Sequence, residues 1–253
     1  VHCENGTLVN ELQRRVYDEG THGPEGHPLS RPDECEAEAI SRLLYLAHLA
    51  GDARVNVVHL STKMGLDAIR AAKARGQRNI FVETCPQYLL LDDTCFLEQG
   101  EDGLAGLAYV MSPPPRKPAD RAALREALLA GEIDTIATDH CSFNIHGQKD
   151  RGAEDFRKVP SGGAGVERRP ALVATTFEGQ LGPEDLCRLM SENPARVFGM
   201  FPRKGALVAG SDADICVWDP AVRWTISAAN QHQAVDYTTY EGFEAHGRAK
   251  RRD

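Results

Sequence analysis

No run of about 18 apolar residues, the length needed to cross a membrane, occurs in the 253-residue sequence. No basic-then-apolar leader is visible, so a secretion signal is not expected. An excess of positive charge is also missing: 29 Lys and Arg stand against 37 Asp and Glu, a net charge of −8. A nucleic-acid groove needs the opposite balance, because its affinity comes from neutralising phosphates. The one basic run, Arg248 to Arg252, is terminal and reads as a ragged end. No C-x-x-C pair occurs, and the seven cysteines (Cys3, Cys35, Cys85, Cys95, Cys141, Cys187 and Cys216) are odd in number. Free thiols in a reducing, cytoplasmic compartment fit better than a disulfide framework. Neither a G-x-S-x-G elbow nor a Cys-His signature is present, so covalent acyl chemistry has no clear nucleophile. Cys141 is the nearest candidate and reads more naturally as a buried, inert thiol. An initiator Met is absent. The opening Val1-His2-Cys3-Glu4-Asn5 reads as the end of a strand entering a loop, hence as a chain whose earlier part is elsewhere.

What is present is ordinary globular composition, 42% hydrophobic and 26% charged, with no internal repeat. Helical apolar stripes run over Glu34–Ala50 (Ile40, Leu43, Leu44, Ala47) and Lys63–Arg75 (Leu66, Ile69, Ala72), the second stopped by Gly76. Ala119–Ala130 is a third helix, flanked by Pro118 and Gly131. Pro183–Asn193 is a fourth. β-Branched runs at Arg54–Leu60, Asn79–Thr84 and Asp134–Thr138 read as strands. Strands alternating with helices at spacings of about 25–30 residues imply βαβ units and a parallel sheet, either open or closed into a barrel. After Pro202 the character changes. Leu207–Asp219 has short apolar runs cut by Gly and Asp, which predicts β-hairpins of a separate small unit.

Polar residues stand where the strand runs stop: His2 after Val1, His59 after V-N-V-V, Glu83 and Thr84 after I-F-V, and Asp139 and His140 after D-T-I-A-T. Side chains at the carboxyl ends of parallel strands converge on one face. Two His and one Asp there make a set suited to zinc and similar ions. The alternative is structural: a hydrogen-bonded His at a strand end, or an Asp capping the next element. Pro160-Ser161-Gly162-Gly163-Ala164-Gly165 could cradle an anion through its N–H groups. It lacks a P-loop ending, and a flexible turn is the favoured reading. Ser112-Pro113-Pro114-Pro115 is a stiff, extended connector.

Read in order, these segments resemble the dihydropyrimidinase and D-hydantoinase branch of the metal-dependent amidohydrolases. The matching stretches are H-C-E-N-G at His2, G-P-E-G-H-P-L-S-R-P from Gly23, V-H-L-S-T from Val58 and E-T-C-P-Q-Y-L-L-L-D from Glu83. S-P-P-P-R from Ser112, A-T-D-H-C-S-F from Ala137, E-N-P-A-R-V-F-G from Glu192, P-R-K-G from Pro202 and G-S-D-A-D from Gly210 follow. The resemblance implies an α/β fold, the C-terminal half of a (β/α)8 TIM-like barrel over residues 1–202, with part of a small β-sandwich over residues 203–253. It implies a binuclear centre, usually zinc, to which His2, His59 and Asp139 contribute. The family's H-x-H pair, bridging carboxylated Lys and oxyanion-steadying Tyr have no counterpart here; Lys63 and Lys73 fall in a helix.

The reaction implied is hydrolysis of the cyclic amide of a 5,6-dihydropyrimidine or a hydantoin. Two ions lower the pKa of a water, and Asp139 would serve as general base and then acid. Ser112 and Ser161 would meet the substrate imide through loop backbone; Ser161 stands where the family more often has Asn. A homotetramer in the cytoplasm is the expected setting, and the present chain by itself is not expected to turn over substrate. Two alternatives compete. An allantoinase or dihydroorotase is less well matched, since no Arg clamp for a carboxylate emerges. A noncatalytic scaffold of the same fold would have shed metal ligands, whereas His2, His59 and Asp139 are all retained.

Overall fold

The computed structural model describes residues 1–100 and 102–250; Arg251 and Arg252, the end of the basic run, lie outside them. Three short strands, β1 (Val55–Val57), β2 (Ile80–Thr84) and β3 (Thr135–Ile136), form a parallel sheet in the order β1-β2-β3. Val57 pairs with Val82, and Thr84 with Ile136. Val1 runs beside the outer edge of β1, its carbonyl accepting from the Val58 N–H at 3.4 Å. The expected strands are therefore present, β1 and β3 shorter than their expected runs.

The helices around this sheet are α1 (Gly6–Asp18), α2 (Gly26–Leu29), α3 (Asp33–Leu49), α4 (Lys63–Ala74), α5 (Pro86–Leu90), α6 (Pro118–Leu129) and α7 (Arg169–Thr176). Local chemistry explains their ends. The Thr62 hydroxyl caps α4 by accepting from the Gly65 N–H at 2.9 Å. Gly76 then ends it at φ +103°, in the left-handed region that a glycine adopts without penalty. Asp33, Glu34 and Glu36 place acid in the first turn of α3, and Pro118 opens α6. Their apolar stripes meet over the strands: Ile40 and Leu44, Leu66 and Ile69, and Leu124 and Leu128 bury with Val57, Val82 and Ile136. Helix α1, capped by Asn5, buries only Val9 and Val16. Neither it nor α7 is among the expected helices, although Val9, Leu12 and Val16 of α1 recur at helical spacing.

The helix expected over Pro183–Asn193 is broken into α8 (Pro183–Cys187), a wide π-helical turn over Arg188–Glu192, and α9 (Asn193–Val197). The Asn193 N–H reaches back five residues to the Arg188 carbonyl. Pro194 follows it with no N–H to give, which interrupts the four-residue ladder at this point. The hairpins expected in Leu207–Asp219 are not found among the described residues. Instead β4 (Trp218–Thr225) starts at the end of that stretch and pairs antiparallel with β5 (Glu244–Ala249). Leu207, Val208, Ile215 and Val217 stay exposed. Lys204 draws the loop into a turn by ion pairs to Asp212, at 2.9 Å, and Asp214. The β4–β5 ribbon packs on α7, where Ala171, Leu172, Ile226, Tyr240 and Ala245 are buried together. Arg248 is not ragged: it belongs to β5 and lies over the Trp224 ring. Among the described residues, no helix is long and apolar enough to cross a membrane.

Candidate active site

The carboxyl ends of the parallel strands share one edge of the sheet. Two residues there have left-handed backbone although neither is glycine: His59 after β1 (φ +44°) and Asp139 after β3 (φ +50°). Such conformations cost on the order of 1–3 kcal/mol each and concentrate at functional sites. His2 meets His59 directly, with Nδ1 and Nε2 2.8 Å apart and the rings edge to face. His59 is buried, which together with the nearby His2 pushes its imidazole down to about 4. Its Nδ1 is enclosed with no hydrogen-bond partner among the described residues.

His2 turns its other nitrogen toward the Glu4 carboxylate, 3.4 Å away. Arg31 grips Glu4 at 2.6 Å. Burial pushes the Glu4 carboxyl up, but the hydrogen bond to His2 and the charges of Arg31 and Arg116 outweigh it and hold the group below the usual range. A carboxylate behind an imidazole is the arrangement that orients histidine ligands. The backbone after His59 is fixed from another side. Glu36, fully buried in α3, accepts from the Ser61 N–H (3.0 Å), the Ser61 hydroxyl (2.8 Å), the Thr62 N–H (2.8 Å) and the Thr62 hydroxyl. The Arg116 Nε in turn donates to the Ser61 hydroxyl at 3.0 Å. Buried charge thus links the His2 loop to the His59 loop.

Asp139 stands within the electrostatic reach of His2. Burial raises its carboxyl above the usual range, and His2 opposes that shift. The sequence-predicted trio is therefore brought to one edge, with two of its members in contact. Among the described residues, no group of three or more His, Cys, Asp or Glu side chains is arranged to hold an ion. The two imidazoles suit a divalent metal in kind: two ring nitrogens side by side, one ring backed by a carboxylate. They would have to part slightly, since two nitrogens on a tetrahedral ion at about 2.1 Å sit about 3.4 Å apart.

Ser112 and Ser161, 49 positions apart in sequence, come together with hydroxyls 2.8 Å from each other. The Pro160–Gly165 stretch is not a flexible turn. The Gly162 N–H donates to the Val110 carbonyl at 3.0 Å, the Cys141 N–H donates to the Gly163 carbonyl at 3.0 Å, and the Gly165 N–H donates to His140 at 3.2 Å. A Cβ at Gly162 would overlap the Cys141 backbone, so only glycine allows this approach. Gly162 and Gly165 thus have no free N–H to offer an anion. The segment that carries Ser112 is pinned on both sides: Lys149 donates to Val110 O, His27 Nε2 to Met111 O and the Tyr88 hydroxyl to Pro113 O, each at 2.8 Å. The Ser112 N–H and carbonyl take no partner among the described residues. Cys141 is exposed, contrary to the expectation of a buried thiol, because the chain turns outward after Asp139.

Sequence reasoning passes over Glu4, Glu36, Arg116 and Lys149. One signal is readable: Glu36 lies four residues before Ile40 and eight before Leu44, on the buried stripe of α3. No comparable signal marks Lys149.

Residues 2–249 match the amidohydrolase family. A D-hydantoinase from Rhizobium radiobacter is 42% identical over 98% of this chain and 53% of its own length. The solved dihydropyrimidinase from Brevibacillus agri is 40% identical with a TM-score of 0.93, over 98% of this chain and 53% of its own. A D-hydantoinase (dihydropyrimidinase) from a Thermus species is 43% identical with a TM-score of 0.92 over the same shares. The chain thus spans about half the length of the relatives it matches.

Proposed function

The chain belongs to the amidohydrolase family, and from that premise we propose that it supplies one half of a barrel enzyme that hydrolyses the ring amide of 5,6-dihydropyrimidines or hydantoins. The contact of His2 with His59 at the strand ends carries this reading. His2 through Nδ1 and His59 through Nε2 would hold a divalent ion, one of a zinc pair, with Asp139 as a further ligand. Ions bound there supply Lewis acidity and acidify water. The Asp139 carboxylate would take a proton from the attacking water and return it to the leaving ring nitrogen as the ring C–N bond breaks. The open Ser112 N–H and carbonyl are complementary to an imide C=O and N–H, and Ser161 closes the same grip. A division into residues 1–202 as barrel and residues 203–253 as part of a small sandwich goes with this reading. A cytoplasmic setting is supported by seven free thiols. A homotetramer is supported by Tyr45, Leu46 and Leu49, which α3 leaves exposed.

The deciding experiment assays dihydrouracil, hydantoin, allantoin and dihydroorotate with the full-length protein. Turnover of the first two is expected; turnover of dihydroorotate alone would overturn the assignment.

A further inference from the structure

We propose that Lys149 is a positioning residue that locks together the two loops carrying Ser112 and Ser161, and so sets the spacing with which the site grips a cyclic imide. This inference rests on the functional reading above. Lys149 is completely buried, 37 positions from Ser112, and its ammonium meets one acceptor, the Val110 carbonyl at 2.8 Å. That same oxygen accepts the Gly162 N–H at 3.0 Å. Val110 lies two residues before Ser112, and Gly162 directly after Ser161. One carbonyl therefore joins the loops, and Lys149 holds that carbonyl. Tyr237 completes the clamp: its ring faces the Lys149 amine at 5.9 Å and its hydroxyl donates to the Gly162 carbonyl at 3.4 Å. Gly162 is thus held through both its N–H and its C=O, and the Ser112 and Ser161 hydroxyls end 2.8 Å apart.

A core-filling role does not account for this residue. A methionine of similar length would fill the same space without burying an amine, which is costly when no carboxylate accompanies it. No acidic side chain pairs with Lys149 among the described residues. Burial pushes the amine down to about 7, and it donates to Val110 O whether protonated or neutral.

The test compares the full-length protein with Lys149→Met and Tyr237→Phe. Lys149→Met is expected to melt no lower than the parent while KM for hydantoin or dihydrouracil rises about tenfold and kcat stays within about threefold. Amide exchange at Gly162 should accelerate about tenfold without change in the β1–β3 core. Tyr237→Phe should move KM and Gly162 exchange in the same direction by a smaller factor. Unchanged KM and unchanged exchange overturn the proposal. So does a Met variant that fails to fold or loses kcat and melting temperature together, which is the signature of a merely structural lysine. Should the parent turn over no cyclic imide, the functional reading fails by itself, and the exchange at Gly162 still decides whether Lys149 clamps the loops.

Discussion

Replacing Glu36 tests how the backbone behind His59 is held. Both carboxylate oxygens are saturated: one takes the N–H and hydroxyl of Ser61, the other those of Thr62. Each hydroxyl is itself an acceptor, Ser61 from Arg116 and Thr62 from the Gly65 N–H, so its only remaining proton points at Glu36. Burial pushes the Glu36 carboxyl up, while Arg116 and these donors pull it back. In Glu36→Ala the two hydroxyls can rotate, but the Ser61 and Thr62 amides cannot. Two amides bonded to a carboxylate at about 1.5–3 kcal/mol each, within a buried network whose disruption typically costs about 3–5 kcal/mol, give a loss of about 4 kcal/mol. At about 2–4 °C per kcal/mol for a chain of this size, the melting temperature should fall by about 10 °C. Glu36→Gln keeps the shape and one acceptor but turns an NH2 toward an amide N–H; its loss should be about half as large. Urea unfolding of the three proteins provides the assay. An Ala variant within about 1 kcal/mol of the parent, or a Gln variant less stable than Ala, would refute the reasoning that Glu36 acts as a fully used acceptor.

Asp139→Asn should fold normally and lose about 10²- to 10⁴-fold in turnover, since an amide offers an oxygen but shuttles no proton; activity within a few-fold of the parent would remove Asp139 from the chemistry. His2→Ala or His59→Ala should lower bound metal in the full-length protein from about two ions per chain toward one, read by elemental analysis, and unchanged stoichiometry would make the pair structural. His27 gives a pH dependence. Burial, and after it the charge of Arg31, push its imidazole down to about 3. An unfolded His binds a proton below about 6.5, so its contribution is complete above that pH and is lost as pH falls through 6.5 toward 3, by about 2 kcal/mol at pH 5. His27→Gln should flatten that part of the profile in urea unfolding at pH 7 and pH 5; an unaltered profile would show that His27 is not held neutral.

Much of the frame is legible from local pattern. Helices α3, α4 and α6 follow from apolar residues three and four apart between a cap or Pro and a Gly, and each bound lies within a residue or two of expectation. The strand cores follow from β-branched runs, and His59 and Asp139 are found because those runs stop at polar residues. The motifs further point to a barrel hydrolase, and the matching structures share that fold. Helix α1 is legible as well, from Val9, Leu12 and Val16 at helical spacing behind the Asn5 cap, but its short stripe is passed over. The Leu207–Asp219 stretch misleads because apolar alternation describes a strand only if a partner is available; β4 finds its partner at Glu244–Ala249, from Trp218 onward.

The contacts that make a site of these residues were decided by the tertiary structure alone. His2 and His59 are 57 positions apart, Ser112 and Ser161 are 49 apart, and Lys149 reaches back 39 to Val110. Periodicity reports which face of an element avoids water, because that depends on neighbours a turn or a pleat away. It carries nothing about which buried donor will meet which buried acceptor. Arg116 and Lys149 look in sequence like solvated charges, and the stripe that marks Glu36 as buried does not name its partners. They become the braces of the site only when the closed fold excludes water around them and leaves each a partner supplied from another element.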